Sequence, residues 1–229
     1  MAVSFYLMSD KASPASARPK RRYDASNRRR QAAATHERVV EAAGRVFLER
    51  GYVGATIPLI AAEAGVALQT VYRAASGKAG LLDAAVQAAL AGGVDRSGVE
   101  VDDRPAIQAI IVEPDPHRQL ELYAATQPGV WGRVGPLLRV LDSAAVSEPE
   151  LQRLRERLGN QRREGLGRFA ALLAENGTLR EGLTSEAAAD VIWTLCSQAN
   201  HDSLIVSCGW SPQDYQDWLA RTLQQSLLR

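Results

Sequence analysis

The chain has 229 residues, 46% of them hydrophobic and 23% charged, with a formal net charge of +1. That length can bury a substantial core in one or two domains, and so small a total charge says nothing for or against a polyanionic partner. The apolar start AVSFYLM is too short for a signal peptide and lacks a preceding basic region, and no uncharged run approaches the roughly 20 residues needed to span a bilayer. Cysteine is limited to Cys196 and Cys208; on one helix they would lie roughly 18 Å apart, far beyond disulfide reach. A soluble, cytoplasmic protein is expected.

Taken in order, residues 1–30 mix Ser, Pro, Ala and Arg without periodicity and are expected to form a disordered arm. Eight basic side chains in this stretch face two acids, leaving 19 basic and 24 acidic groups in the remainder. The arm is either a solvated tail or a polyanion contact, with Arg28, Arg29 and Arg30 immediately ahead of the first helix. Thr35 is placed to cap a helix running to Arg50, in which Val39, Ala43, Val46 and Phe47 form one stripe, and Gly51 ends it. Thr56 caps the next helix and Pro58 is tolerated in its first turn. Ile57, Ile60, Ala61 and Ala64 share a face, Gly65 supplies a positive φ, and Val66 follows as a buried plug. A second short helix, Leu68 to Ala75, carries Gln69, Thr70, Tyr72 and Arg73. Lys78 then opens a fourth helix with Leu81, Leu82, Ala85, Val86 and Ala89, stopped by Gly92-Gly93. Two short helices joined by a tight turn have the layout of a helix-turn-helix, whose second helix enters a DNA major groove.

Residues 35–90 resemble the DNA-binding domain of the TetR family of bacterial transcriptional repressors. The residues that carry the resemblance are Val46-Phe47 with Gly51-Tyr52, Thr56, Ile60-Ala61, Ala64-Gly65-Val66, Thr70-Val71-Tyr72, and Lys78 with Leu81-Leu82. It implies DNA-contacting roles for Thr56, Tyr72 and Lys78, and an effector cavity in a second helical domain. It also implies a homodimer in which the last two long helices pair with their copies as a four-helix bundle. Four positions depart from the family pattern: Leu59 replaces a capping-box acid, Ala67 a Ser or Thr cap, Ala75 a packing aromatic and Gly77 a Ser cap. Each departure removes about 1 kcal/mol of local helix stability.

Beyond Gly93, residues 94–116 read as a linker holding one short helix at Ile107 to Val112. A helix from His117 to Gln127 is expected to break at Pro128-Gly129 and restart at Pro136. Ser147-Glu148-Pro149-Glu150 reads as a capping box for a long helix. Its apolar stripe includes Leu151, Leu154, Leu158, Leu166 and Phe169, and its opposite face, with Arg153, Arg155, Arg157, Arg162 and Arg163, reads as solvated. Thr184 caps a helix from Ser185 to about Cys208, and Ser211 caps the last, to Leu228. No stretch alternates with period two. The expected fold is all-α with about nine helices, divided into a basic arm (1–30), a helix-turn-helix domain (31–77) and an effector-binding and dimerisation domain (78–229).

Within the helix-turn-helix, the Gln69 amide is suited to read an adenine edge, and Thr70 to touch a thymine methyl or a phosphate. Tyr72 and Lys78 are suited to phosphates, and Arg73 to either guanine or the backbone. The two-fold dimer calls for a pseudo-palindromic operator in duplex DNA. Tyr123, Gln127 and Trp131, with Phe169, Trp193, Gln198, Asn200 and His201 from later helices, are candidates for the cavity wall, which would suit a mostly apolar, uncharged or weakly polar effector. The aromatic members are equally good core residues, and the Gln198-Asn200-His201 triplet suits a dimer contact as well as a pocket. Val191, Leu195, Leu204, Ile205, Trp218, Leu219 and Leu223 are candidates for the dimer face. His36, His117 and His201 are scattered, no Ser or Cys has a base at catalytic spacing, and no phosphate loop is present, so neither an enzyme, a metal site nor a cofactor is expected. The alternatives are a DNA-binding or architectural protein without a ligand, and a thiol redox sensor acting through Cys208.

Overall fold

The computed structural model describes residues 21–229, and they form two units, one ending at Thr35 and one from His36 to Arg229. In the first unit the described residues are helical, so the segment from Arg21 to Arg30 is not the irregular chain expected of it; the rest of the expected arm lies outside the described residues. The first helix, α1, is Arg21–Gly54. Thr35 is therefore inside a helix and not at its start: its hydroxyl donates to the Gln31 carbonyl at 2.8 Å, the back-bonding a threonine adopts in a helix interior. Gly51 leaves helical geometry with φ 64° and ψ 178°, so the expected stop falls where a residue without Cβ tolerates it.

The second unit continues with α2 (Ile57–Ala64), α3 (Leu68–Ala74), α4 (Gly77–Ala91), α5 (Pro105–Val112), α6 (Pro116–Ala145), α7 (Pro149–Glu175), α8 (Ser185–Leu195), a single turn α9 (Gln198–His201) and α10 (Pro212–Leu227). Apart from that turn there are nine helices, and no strand, among the described residues; the only pairing of extended backbone is an isolated bridge between Leu179 and Leu228. The fold is all-α. None of these helices is long and apolar enough to cross a membrane.

Two hydrophobic cores organise this unit. One joins Val39, Val46 and Phe47 of α1 with α2, α3, α4, the C-terminal half of α6 and the start of α7. The other joins Leu120 and Ala124 of α6 with Leu166, Ala170 and Leu173 of α7, and with α8 and α10. Because the end of α6 and the start of α7 share one core while their other halves share the second, α6 and α7 run antiparallel. The sequence reading divides the domains at residue 78, yet α4, beyond that line, packs in the same core as α1–α3.

Several local expectations yield to packing. Pro128 and Pro136 lie inside an uninterrupted α6. Each removes one backbone hydrogen bond, but Ala124, Gln127, Trp131, Val134 and Leu137 stay buried along the same helix, and their packing holds it through both prolines. The Ser147 capping box does not form: Glu148 is the cap residue of α7, and the Ser147 hydroxyl points back to the Ala144 carbonyl at 3.4 Å. The helix expected from Ser185 to Cys208 breaks after Leu195, where Ser197 caps a new turn by accepting from the Asn200 amide at 3.3 Å. The caps at Thr184 and Ser211 form as expected, the latter as a full capping box with Asp214.

Candidate nucleic-acid interface and buried cavity

The helix-turn-helix is built from local chemistry. Thr56 caps α2, accepting from the Leu59 amide at 3.4 Å, and Ile60, Ala61 and Ala64 face the core. Gly65 takes φ 63° and ψ 41° with its amide on the Ala61 and Ala62 carbonyls, the left-handed stop that lets the chain turn at once into α3. Arg45 and Glu63, at 2.7 Å, tie α1 to α2. On α3 only Val71 is fully buried; Gln69, Tyr72 and Arg73 are exposed and Thr70 is half-buried. The helix presents amide, phenol and guanidinium outward on one buried anchor, and carries no acid. Ala67 makes no side-chain cap. Ala67→Ser is therefore expected to stabilise the fold by about 1 kcal/mol, measured as a rise in melting temperature with the contact surface unchanged.

Lys78, expected to contact a phosphate, also has partners within the chain. Its ammonium donates to the Tyr52 carbonyl at 2.7 Å and lies 4.1 Å from the centre of the Tyr52 ring, which stacks on Phe47. It ties the start of α4 to the last turn of α1, just beyond Gly51, although an ammonium carries further donors. Arg28, Arg29 and Arg30 are exposed on the helical first unit.

A cavity of about 940 Å³ lies in the second unit between α4, the 97–111 segment, α6 and α7. Of the residues expected on its wall, Tyr123, Trp131 and Phe169 are there, with the Tyr123 and Phe169 rings 4.9 Å apart. The other five are elsewhere. Gln127 is buried and donates to the Thr126 hydroxyl at 3.0 Å. Gln198 donates to the Gly135 carbonyl at 3.0 Å, Asn200 to the Thr194 carbonyl at 2.7 Å, and His201 is buried against Asp202 and, edge-on, Tyr215. Trp193 carries Arg162 and Arg163 on its ring, 4.2 and 4.7 Å from its centre. Asn200 and Arg162 serve the break after α8, whose end leaves carbonyls without helical partners. Arg162 donates to the carbonyls of Trp193 (3.3 Å) and Cys196 (2.9 Å), and Trp131 also donates to that of Cys196 at 3.1 Å.

The sequence reading placed Arg162 on a solvated face, but it is half-buried and lines the cavity. It follows Leu158 and precedes Leu166 by four residues each, so the helical stripe itself pointed to it. Other lining residues not anticipated are Leu90, Arg104, Ile107, Ile110, Val134 and Leu138. Burial pushes the Tyr123 hydroxyl well above its ordinary value, and raises the Cys196 thiol to about 12. The same cause lowers the Arg162 guanidinium.

On the expected dimer face, Leu219 and Leu223 are fully buried inside one chain and so cannot also meet a partner. Their ridge on α10 packs into the second core. Val191, Leu195, Leu204, Ile205 and Trp218 are half-buried.

Residues 39–85 match the family model of bacterial regulatory proteins, tetR family. No curated protein matches the sequence. Among solved structures, the chain is similar to a protein of Mesorhizobium loti assigned to the TetR-family transcriptional regulators (TM-score 0.66, 19% identity, covering 86% of this chain and 98% of the other). It is also similar to NalD of Pseudomonas aeruginosa, the secondary repressor of the MexAB-OprM multidrug efflux pump (TM-score 0.64, 20% identity, 86% and 97% covered). A third is the transcriptional regulator FadR of Bacillus subtilis in complex with stearoyl-CoA (TM-score 0.62, 16% identity, 81% and 96% covered). Residues 39–85 thus match the helix-turn-helix region of the tetR family of bacterial regulatory proteins, and the chain shares the fold of these solved structures.

Proposed function

We propose that this chain is a DNA-binding transcriptional repressor, working as a homodimer on a pseudo-palindromic operator and released by a small effector held in the cavity. The observation that carries the reading is α3, which presents Gln69, Tyr72 and Arg73 outward while Val71 anchors it. Gln69 reads a base edge, Thr70 and Arg73 contact a base or the backbone, and Thr56 and Tyr72 hold phosphates. The exposed Arg28, Arg29 and Arg30 of the first unit supply polyanion contacts of their own. Dimerisation uses the half-buried Val191, Leu195, Leu204, Ile205 and Trp218 of the α8–α10 region. Gln69→Ala is expected to relax base preference at one operator position, losing roughly 1–3 kcal/mol of discrimination there. Competition binding against operator variants measures it, and an unchanged ranking of the variants would remove Gln69 from base reading.

The cavity supports an effector over a ligand-free architectural protein. Its volume suits a drug-sized molecule, and the similar FadR is solved with stearoyl-CoA. Such a ligand must bind the arrangement that cannot hold DNA more tightly than the one that does. A redox role is left to Cys208, which is exposed, since burial keeps the Cys196 thiol protonated. Oxidant-treated protein on non-reducing gels tests it, and absence of a linked dimer ends that reading.

A further inference from the structure

The cavity wall has a charge pattern that an uncharged ligand would leave unanswered. Glu100, Asp102, Glu164 and Glu175 are all exposed, and Arg168, also exposed, pairs with Asp102 at 3.3 Å. The charged lining residues shielded from solvent are both cations, Arg104 and Arg162. Neither forms an ion pair among the described residues. The Arg162 bonds go to neutral carbonyls, and its guanidinium lies 4.2 Å from the centre of the Trp193 ring and 5.5 Å from that of Trp131. Those contacts fix the plane of the fork while using one of its terminal nitrogens. A guanidinium has five donors in a geometry that matches a carboxylate. Tyr123, on the same wall, stays a protonated phenol because burial opposes its ionisation, and its hydroxyl is hydrogen-bonded to the Cys196 thiol. Leu90, Ile107, Val134, Leu138 and Phe169 give the wall its apolar part, and Gln87, Ser97 and Gln161 add neutral polar groups.

We infer that the cavity takes an amphiphilic monoanion, a carboxylate on an apolar body, with the carboxylate held by Arg162 beside Tyr123. The inference rests on reading the cavity as an effector site, and it changes the expected ligand from uncharged to anionic. A partly desolvated cation gains a charge-assisted, two-point hydrogen bond from a carboxylate that an ester cannot supply. Arg104 has its Nε buried without a partner, but its other nitrogens engage the carbonyls of Leu90 and Val99 near the linker. It shapes that end of the cavity and does not hold the acid.

The test is calorimetric binding to the full-length chain of three probes below their micellar concentrations: decanoate, methyl decanoate and decyltrimethylammonium. Decanoate is expected to bind roughly 10- to 100-fold more tightly than the ester, and the ammonium probe most weakly. R162M, checked for folding by circular dichroism, is expected to bring decanoate and ester to equal affinity, while R104M keeps the preference. Should R162M not fold, R162K, which keeps the charge without the fork, is expected to reduce the preference several-fold. Ester binding as tight as decanoate, or a preference lost in R104M and kept in R162M, overturns the inference and leaves the effector reading standing. If none of the three probes binds, the effector reading falls and the inference falls with it.

Discussion

Leu219→Ala is expected to destabilise the chain by about 2–5 kcal/mol, the range for emptying a fully enclosed leucine site. Leu219 has 0% exposure and packs with Tyr215, Leu223, Ile192 and Leu173, all likewise enclosed. In a chain of this size that loss lowers the melting temperature by roughly 5–15 °C. The outcome separates two roles for the last helix. A core leucine lost from one chain lowers stability at every protein concentration. A leucine at a subunit interface mainly weakens assembly, so its effect grows as the protein is diluted. Melting curves across a hundredfold dilution series should show the first pattern for Leu219→Ala and the second for Trp218→Ala, which is only half-buried. The same shift with dilution in both variants would return Leu219 to the dimer face.

Lys78→Ala is expected to lower DNA affinity roughly equally for all sequences and to destabilise the helix-turn-helix by about 1.5–3 kcal/mol. The stability loss comes from a charged hydrogen bond to the Tyr52 carbonyl at 2.7 Å and the contact 4.1 Å above its ring. Lys78→Ala removes both and frees the start of α4 from the last turn of α1. Lys78→Arg tests the geometry, because a planar fork does not reproduce a point charge seated on a ring and a single carbonyl. Melting and operator titration should fall together in Lys78→Ala. If affinity falls while the melting temperature stays fixed, Lys78 is a phosphate ligand alone and the clamp plays no part.

What the sequence made legible was the chemistry that acts within a few residues. Thr56, Gly65, Thr184 and Ser211 each act on their own turn, and each forms the cap or stop that its residue type favours. The misreadings arise where a distant contact outweighs a local preference. Pro128 reads as a break, but the wall made by Gln127, Trp131 and Val134 keeps α6 whole. At the end of α8, Ser197 and Asn200 supply local caps, but the Cys196 carbonyl is answered by Arg162 and Trp131, 34 and 65 residues away. Amphipathicity showed that Leu219 and Leu223 share a face of α10, but a hydrophobic stripe has no label for its partner, and the same pattern suits a core or a second subunit. The cavity was half legible for a related reason. Aromatic residues were visible candidates, whereas Arg162 and Arg163 are neighbours of one type. Only the stripe through Leu158, Arg162, Leu166 and Phe169 tells which of them turns inward.

The central claim, that α3 reads duplex DNA as half of a two-fold pair, is tested most directly by selecting bound duplexes from a random pool with the full-length chain. The account predicts one enriched motif, two inverted half-sites about one helical turn or more apart, with binding that weakens steeply as salt is raised. A pool that stays random after selection, or binding to arbitrary duplexes as tight as to any enriched one, would contradict it.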